Sequence, residues 1–374
     1  MNKKLKVITV VGTRPELIRL SVIIEKCDQN FNHIFVHTGQ NYDYELNEIF
    51  FEDLSIRKPD YFLNVSGASL GKTIGNVISA SFDLFEEIKP DALLVLGDTN
   101  SSLCIISAKR LKIPIFHMEA GNRCFDQNVP EEINRKIADH LADINLCYTE
   151  NSRKYLLAEG FRKDHIFSIG SPLLEVLNRF ESKIKKSEIL DTLKVKPHKY
   201  IVASIHREEN LDLNDNFNNI IEALEDIAKK YELPIYFSTH PRTRKKLEAL
   251  NIKTSKTIHF IKPIGFTDYV ALQKNAFVTL SDSGTIFEES AIMRFPAISI
   301  RTSTERPEAS ESGTILIGNV NKENILQSIE IMLNTYLTSQ MELPIEYKIQ
   351  NVSTRVVRLI QSYTSIINKE IWKK

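Results

Sequence analysis

The sequence predicts an α/β protein made of two Rossmann-like domains, each built on a doubly wound parallel sheet. Short β-branched runs alternate with helical patterns, and the alternation starts again after Gly170-Ser171-Pro172. Polar motifs follow the strand ends in both halves. The 374 residues and 42% hydrophobic content are enough for two cores. We therefore expect one domain from residues 1–171 with a C-terminal helix at 352–374, and a second from residues 172–351.

The first domain contains six predicted strands, each a short apolar run of the kind that parallel sheets bury. They lie at 7–11, 34–36, 92–96, 113–116, 144–148 and 166–169. Helical patterns follow, one beginning at Pro15, one with apolar residues recurring from Leu70 to Phe85, and one beginning at Pro130. Proline is well suited to the first turn of a helix, so Pro15 and Pro130 mark helix starts.

The second domain contains four strands predicted in the same way. They lie at 200–205, 235–238, 277–280 and 297–300. Each is followed by polar residues, so this domain also presents a ligand-binding edge. The C-terminal helical pattern has apolar residues on one face, which we expect to pack on the first domain.

Composition excludes several classes of protein. Lys+Arg and Asp+Glu both number 48, so no basic excess indicates nucleic-acid binding. The four cysteines (Cys27, Cys104, Cys124 and Cys147) have no metal-ligand spacing and are expected to be reduced thiols. No apolar run is long enough to cross a bilayer, and residues 1–6 lead directly into a strand, so we expect no membrane association and a cytoplasmic location.

The turn after the first strand reads Gly12-Thr13-Arg14-Pro15-Glu16. Glycine allows close backbone approach, the helix start offers free N–H groups, and Arg14 is a bidentate donor. These features predict an anion site. Since the G-x-G-x-x-G fingerprint is absent, a dinucleotide cofactor is not implied.

Two further turns carry acidic residues at strand ends. Asp98 follows one strand, where it is equally suited to cap the next helix or to transfer a proton. Glu119 follows the next strand, and Glu131 and Glu132 open the helix at Pro130. For Glu132 we favour a structural role at the helix start. The density of charge around Glu119 and Glu131 favours function.

Six motifs in order carry a resemblance to a known family. They are GTRPE, LGDTN, GNRCFDQNVPEEINR, HREEN, SDSGTIFEE and TSTERPE. Together they resemble the non-hydrolysing UDP-N-acetylglucosamine 2-epimerases, closest to the capsule-pathway branch that makes UDP-N-acetyl-L-fucosamine. The resemblance implies the glycosyltransferase-B architecture, with two domains facing a cleft. It also implies a homodimer, a UDP-sugar substrate, no cofactor and no metal.

The family mechanism implies roles for particular residues. The bond from C1 to UDP breaks, the C2 proton leaves, a glycal forms, and UDP adds back with the opposite C2 configuration. The resemblance assigns this chemistry to Asp98, Glu119, Glu131 and His206. The expected substrate- or UDP-binding residues are Arg14, Arg19, Arg123, Arg207, His240, Ser283, Gly284, Thr285, Glu289 and Arg306.

Within that set, Ser283 to Thr285 at a helix start are expected to cradle the diphosphate, and Glu289 to accept from the ribose hydroxyls. Arg207 and Arg306 are expected to neutralise the leaving UDP. We expect Glu288 to be a solvated carboxylate.

The sequence departs from the N-acetylglucosamine enzymes at several points. Leu96 replaces His, Arg19 replaces Lys, and Thr285 replaces the second Gly of a Gly-Gly pair. TGQNYD at residues 38–43 replaces TGQHRE, and the loop between Glu119 and Glu131 is shorter by about two residues. These departures suit a 6-deoxy sugar, UDP-2-acetamido-2,6-dideoxy-L-talose. UDP-N-acetylglucosamine is the alternative substrate, and a glycosyltransferase, a hydrolysing epimerase and a nucleotide-sugar sensor are rival functions.

Overall fold

A computed structural model describes residues 4–39, 51–212, 215–336 and 341–374. The chain divides into two compact units, Met1–Arg179 with Lys348–Lys374 (unit 1) and Phe180–Tyr347 (unit 2). We expected the divisions at 171 and 351; in the structure one continuous helix, Leu173–Lys185, runs from unit 1 into unit 2 across Arg179 and Phe180.

Unit 1 is built on a seven-stranded parallel sheet with the order β3-β2-β1-β4-β5-β6-β7. The strands are β1 (Lys6–Val11), β2 (Asn32–His37), β3 (Tyr61–Phe62), β4 (Ala92–Leu96), β5 (Ile115–Met118), β6 (Ile144–Cys147) and β7 (Ile166–Ser168). Every residue of β4, β5 and β6 is buried, as a sheet covered on both faces requires.

The helices of unit 1 pack their apolar faces against this sheet. They are α1 (Arg14–Asn30), α2 (Leu70–Ile88), α3 (Ile105–Arg110), α4 (Pro130–Leu141), α5 (Glu150–Ala158), α6 (Leu173–Lys185) and α15 (Val352–Ile367), with a π-turn at Asn368–Trp372. Short 3₁₀ turns lie at Asn100–Cys104 and Lys163–His165. The C-terminal α15 packs against α1.

Unit 2 is built on a six-stranded parallel sheet with the order β10-β9-β8-β11-β12-β13. The strands are β8 (Ile201–Ser204), β9 (Ile235–Ser238), β10 (Ile258–Ile261), β11 (Thr279–Ser281), β12 (Ala297–Ser299) and β13 (Leu316–Ile317). The helices are α7 (Ile189–Thr192), α8 (Glu208–Leu211), α9 (Asn216–Tyr231), α10 (Pro241–Ala249), α11 (Phe266–Lys274), α12 (Ile286–Met293), α13 (Pro307–Glu311) and α14 (Lys322–Tyr336), followed by a 3₁₀ turn at Ile345–Lys348.

The predicted fold class of two doubly wound parallel sheets is confirmed, but three strands were missed. These are β3, β10 and β13, each at the edge of its sheet. Edge strands are covered less completely, so they lack the continuous apolar run that identifies a buried strand.

In each sheet the strand order reverses at one place, which is where open α/β sheets bind ligands. The reversal lies between β1 and β4 in unit 1 and between β8 and β11 in unit 2. The turns that follow these four strands carry half of the predicted site residues, namely Arg14, Asp98, His206, Arg207, Ser283, Gly284 and Thr285.

Candidate functional site

The turns after β4 and β5 in unit 1, which contain Asp98 and Glu119, each include a residue with a positive φ. Gly97, before Asp98, has φ +72°, and Glu119 itself has φ +63°. The left-handed region is uncommon for residues other than glycine and costs energy. The turns are fixed to each other, since the Gly97 N–H donates to the Met118 carbonyl oxygen at 3.0 Å.

The structure brings together the three carboxylates Asp98, Glu119 and Glu131. Burial raises the pKa of Asp98, Arg135 opposes this effect, and the negative charges of Glu119 and Glu131 raise it further. The Asp98 side chain keeps 23% of its surface exposed and that of Glu119 keeps 12%, so both remain accessible to a ligand. The two neighbouring negative charges therefore favour the protonated form of Asp98.

Two arginines neutralise part of this charge. Arg19 of α1 forms an ion pair with Glu119. Arg135 of α4 lies with NH2 2.7 Å from Asp98 Oδ2, and its NH1 donates to Glu132 Oε2 at 2.9 Å. Arg135 was missed by sequence analysis. Its position three residues after Glu132, on the same helical face, was the available signal.

Glu132 has the structural role that we expected. It is fully buried, and it accepts from the Cys124 N–H at 3.2 Å, from the Phe125 N–H at 3.3 Å and from Arg135. These bonds fold the loop between Glu119 and Pro130 back onto the start of α4.

The anion site predicted at the start of α1 is occupied by the chain's own carboxylate. Glu16 is 2% exposed and accepts from the Gly12 N–H at 3.0 Å, from Thr13 Oγ1 at 2.8 Å and from Ser101 Oγ at 2.6 Å. A phosphate would compete with Glu16 for these donors, so the prediction fails for the backbone of this turn. Only the partly exposed Arg14 remains as a candidate anion-binding group there.

The prediction that Arg123 binds substrate is also corrected. Its side chain is 0% exposed and binds two carboxylates of the protein. NH1 donates to Asp139 Oδ2 at 2.6 Å, and Nε and NH2 donate to Glu159 at 2.7 and 2.8 Å. Sequence cannot distinguish a cation that faces a ligand from one that is satisfied inside the protein. Arg123 therefore positions the loop after β5.

In unit 2 the buried Asp282 organises the turns after β8 and β11. Its Oδ2 accepts from the N–H groups of His206 and Arg207, both at 2.9 Å, and from Asn210 Nδ2 at 3.0 Å. Its Oδ1 lies 3.1 Å from His206 Nδ1. Burial alone would raise the pKa of Asp282, but the charge and hydrogen bond of His206 and the backbone of Arg207 lower it to about 2.

His206 is therefore a partly exposed imidazole oriented by a buried carboxylate. Its side chain is 38% exposed, and its ring centroid lies 5.8 Å from that of His240. His240 caps α10 by accepting from the Arg242 N–H at 3.2 Å. The structure brings these two predicted residues together. Asp282 was missed, although it stands inside a quoted motif between two serines.

The start of α12 presents Ser283, Gly284 and Thr285, all partly exposed. Ser283 Oγ lies 2.9 Å from Thr285 Oγ1. A side chain at position 284 would clash, since a Cβ there would lie 2.5 Å from Glu305 Oε1. A larger residue at position 284 would therefore displace the Glu305 carboxylate from the start of α12.

Glu289 lies one turn into α12 and accepts from Gln273 Nε2 at 3.0 Å. Tyr269, which sequence analysis missed, lies close to it. Burial raises the pKa of Tyr269, as do the negative charges of Glu289 and Asp282. The aromatic ring of Tyr269 therefore lies next to the predicted nucleotide-binding residues.

Arg306 and Glu288 differ from their expected roles. Arg306 is 2% exposed and Glu288 is 0% exposed, and the two form an ion pair inside unit 2. Arg306 is thus enclosed rather than presented to a leaving group, and Glu288 is not solvated. Arg207, with a side chain 17% exposed, remains accessible, and its guanidinium lies 3.9 Å from Glu305.

The remaining expectations concern absences and one loop. Across the described ranges, no group of three or more His, Cys, Asp or Glu side chains is placed to hold a metal ion. Within those ranges, no helix has the length and hydropathy of a membrane span. Residues 40–43 of the TGQNYD segment lie outside the described residues.

Comparison with known proteins identifies the family. The chain matches the family described as UDP-N-acetylglucosamine 2-epimerase over residues 25–361. The chain belongs to this family. It is similar in structure to a UDP-N-acetylglucosamine 2-epimerase from Rickettsia bellii, with a TM-score of 0.93, 47% identity, and coverage of 99% of this chain and 100% of the other.

Two further 2-epimerases show which ligands relatives use. The Methanocaldococcus jannaschii enzyme, seen in complex with UDP-GlcNAc and UDP, is 34% identical with a TM-score of 0.89, covering 96% of this chain and 99% of its own. A Pseudomonas aeruginosa relative, UDP-2,3-diacetamido-2,3-dideoxy-D-glucuronate 2-epimerase, is 33% identical over 334 residues, which is 88% of this chain and 92% of its own. The names of these two relatives give different UDP-sugars and the same 2-epimerase activity, and UDP-sugar 2-epimerase activity is thereby supported for this chain.

Proposed function

We propose that this 2-epimerase acts on UDP-2-acetamido-2,6-dideoxy-L-talose and converts it to UDP-N-acetyl-L-fucosamine, a precursor of capsule or surface polysaccharide. The observation that best supports this chemistry is the cluster of Asp98, Glu119 and Glu131, in which the charges of Glu119 and Glu131 raise the pKa of Asp98. The branch is supported by the central motif GNRCFDQNVPEEINR and by the departures from the N-acetylglucosamine enzymes.

The reaction needs a group that takes a proton and a group that gives one. The C1–O bond to UDP breaks with its electron pair leaving on UDP, and the C2–H electrons form the C1=C2 bond of a glycal. UDP then adds back to C1 while a proton is delivered to the opposite face of C2. The C2 hydrogen is not adjacent to a carbonyl, so it becomes acidic only as positive charge develops at C1.

The carboxylates of unit 1 fit these proton transfers. Burial and two neighbouring charges raise the pKa of Asp98, which favours its protonated form. Glu119 forms an ion pair with Arg19, which favours its ionised form. Glu131, at the start of α4, is partly exposed, and we assign to it the proton transfer at C2. The proposal therefore requires that one of the three carboxyl groups is protonated while another is ionised.

The nucleotide-binding role is proposed for residues of unit 2. The N–H groups at the start of α12 and the hydroxyls of Ser283 and Thr285 suit a diphosphate. Glu289 suits the ribose hydroxyls. The imidazole of His206, oriented by Asp282, and the guanidinium of Arg207 are the groups suited to stabilise UDP as it leaves.

UDP-N-acetylglucosamine is the second candidate substrate because similar proteins from Rickettsia bellii and Methanocaldococcus jannaschii are named UDP-N-acetylglucosamine 2-epimerases. The two candidates differ in ring configuration, L-talo in one and D-gluco in the other, and at C6, where the deoxy sugar has a methyl group. A site that hydrogen-bonds a hydroxyl rejects an analogue lacking it far more strongly than an apolar site rejects the hydroxyl.

The test is a direct comparison of substrates. Purified protein is incubated separately with the L-talose derivative, UDP-N-acetylglucosamine and UDP-2,3-diacetamido-2,3-dideoxy-D-glucuronate, and NMR reads the configuration at C2. We expect kcat/KM to be highest for the L-talose derivative by at least about tenfold. Higher kcat/KM for UDP-N-acetylglucosamine would replace the proposed substrate, and no epimerisation of any of the three would reject it.

A further inference from the structure

His117 is a fully buried residue of β5 that neither the sequence motifs nor the proposed chemistry uses. Its Nδ1 lies 3.0 Å from Asp139 Oδ1 of α4, and its Nε2 lies 2.8 Å from the Gly97 carbonyl oxygen. Both partners are hydrogen-bond acceptors only. A neutral imidazole has a single N–H, so one of these contacts would be repulsive unless both nitrogens carry protons. The geometry therefore requires an imidazolium.

The carboxylate of Asp139 supplies the negative charge that balances the His117 cation. Asp139 is 0% exposed, and its carboxylate also accepts from Arg123 NH1 at 2.6 Å and from the Gly121 N–H at 3.1 Å. In the neighbouring strands, the residues in register with His117 are Val95 and Asn145, and neither carries a charge.

One other charged group acts on His117. Burial alone would lower the pKa of His117, but Asp139, the Gly97 carbonyl and the charge of Asp98 raise it. The cation is thus coupled both to its partner in α4 and to a carboxylate of the proposed catalytic cluster.

The His117–Asp139 pair forms hydrogen bonds to both turns that contain Asp98 and Glu119. The Gly97 peptide, directly before Asp98, is fixed through its carbonyl by His117 and through its N–H by Met118. Gly121, two residues after Glu119, is fixed by Asp139. A single buried ion pair therefore joins the turn after β4, the turn after β5 and α4.

We propose that His117 and Asp139 are positioning residues for proton transfer, with a protonated His117 aligning the Asp98 and Glu119 turns and placing a fixed positive charge behind Asp98. The inference rests on the proposed function. The pair touches no substrate atom, so its effect reaches the reaction only through the two carboxylates. A displacement of about 1 Å in such groups lowers turnover by up to about 10²-fold.

The first experiment measures protonation without using activity. Protein with ¹⁵N-labelled histidine is titrated from pH 5 to pH 9, and the ring nitrogens of His117 are followed by NMR, with His117→Gln used for assignment. We expect both nitrogens to carry protons at pH 7. In Asp98→Asn, which removes the neighbouring negative charge, the pKa of His117 should fall. A neutral His117 at pH 7, or a pKa unchanged in Asp98→Asn, would overturn the inference.

The second experiment uses two substitutions that each keep one hydrogen bond. The amide of His117→Asn replaces Nδ1 and keeps the bond to Asp139, whereas that of His117→Gln replaces Nε2 and keeps the bond to Gly97. We expect both to lower kcat by about 10- to 10²-fold while UDP affinity, which depends on unit 2, is kept. The limb of the kcat/KM pH profile that reports the ionisation of Asp98 should move to higher pH. Loss of the His117 cation removes a nearby positive charge and so raises the pKa of Asp98.

The matched control is His33→Gln. His33 of β2 also has a partner at each ring nitrogen, with Nδ1 2.6 Å from Asp28 Oδ1 and Nε2 2.8 Å from Thr9 Oγ1. The Thr9 hydroxyl can donate as well as accept, so this pair does not require a cation, and His33 contacts neither turn. It should lose stability and keep the pH profile. Wild-type turnover and profile in both His117 variants would overturn the inference, as would a loss of kcat with an unshifted profile.

The two proposals fail in different ways. Wild-type protein that exchanges no C2 hydrogen with any UDP-sugar would reject the proposed function. A neutral His117 in an active enzyme would reject only the positioning role. If neither variant folds, the titrations of wild type and Asp98→Asn still decide the inference.

Discussion

Asp282→Asn removes the buried charge that organises the turn of His206 in unit 2. The substitution keeps the size of the side chain, but the amide has one acceptor where the carboxylate has two. The N–H groups of His206 and Arg207 and the amide of Asn210 all converge on Oδ2. At least one of these donors, or His206 Nδ1, loses its acceptor.

The expected cost follows from the pKa of Asp282. Its value of about 2 in the folded protein lies below the ordinary value of 3.8. A group with a lowered folded pKa stabilises the protein above its unfolded pKa and loses that contribution as the pH falls through the folded pKa. The contribution of Asp282 is therefore about 2 kcal/mol at pH 7, and it is lost between about pH 4 and pH 2.

The assay compares free energies of unfolding at pH 7, 4 and 2. The only tryptophan, Trp372, lies in unit 1, so its fluorescence does not report on unit 2. Hydrogen exchange at the His206 and Arg207 amides reports directly on the bonds to Asp282. We expect the difference between wild type and Asp282→Asn to be about 2–4 kcal/mol at pH 7 and to shrink by about 2 kcal/mol at pH 2.

The control is Asp226→Asn in the same unit. Asp226 is 46% exposed and pairs with Lys322 at 3.0 Å, an arrangement that contributes little to stability. A difference between wild type and Asp282→Asn that stayed constant from pH 7 to pH 2 would refute the assigned ionisation. A difference no larger than that of the control would refute the organising role itself.

Other predictions concern the two halves of the chemistry. Glu131→Gln should lower turnover by about 10²–10⁴-fold with melting temperature and UDP affinity kept, whereas Glu132→Gln should mainly lower the melting temperature; calorimetry and turnover on one preparation decide. Arg14→Ala should raise the activation barrier by about 2–4 kcal/mol, measured from kcat/KM, and wild-type kinetics would remove Arg14 from the site. Gly284→Ala should weaken UDP binding in titration calorimetry, because its Cβ would lie 2.5 Å from Glu305 Oε1; unchanged affinity would contradict this view of the α12 start.

The sequence could predict that Asp98 and Glu119 lie close together. Each follows a buried strand, and the carboxyl ends of neighbouring parallel strands meet at one edge of the sheet. The same reasoning placed the polar residues that follow the strands of the second domain at one edge of its sheet. These predictions succeed because they depend on strand order and on apolar patterns, which are local properties of the chain.

The sequence could not predict which charged groups are enclosed. Arg123 and Arg306 stand in motifs that look suited to anions, yet both are satisfied by buried carboxylates. Glu16 fills the helix start that was assigned to a phosphate. Burial of a charge depends on partners far along the chain, such as Glu159 for Arg123, and periodicity carries no information about those partners.

Hydrogen exchange at C2 tests the central claim, which is that the carboxylates of unit 1 remove and return that proton. Purified protein is incubated with UDP-2-acetamido-2,6-dideoxy-L-talose in deuterated water, and NMR follows deuterium at C2 of both epimers. The account predicts that each epimerised molecule carries deuterium at C2, and that Glu131→Gln slows deuterium incorporation and epimerisation by the same factor. Epimerised product that keeps its original C2 hydrogen would contradict the account.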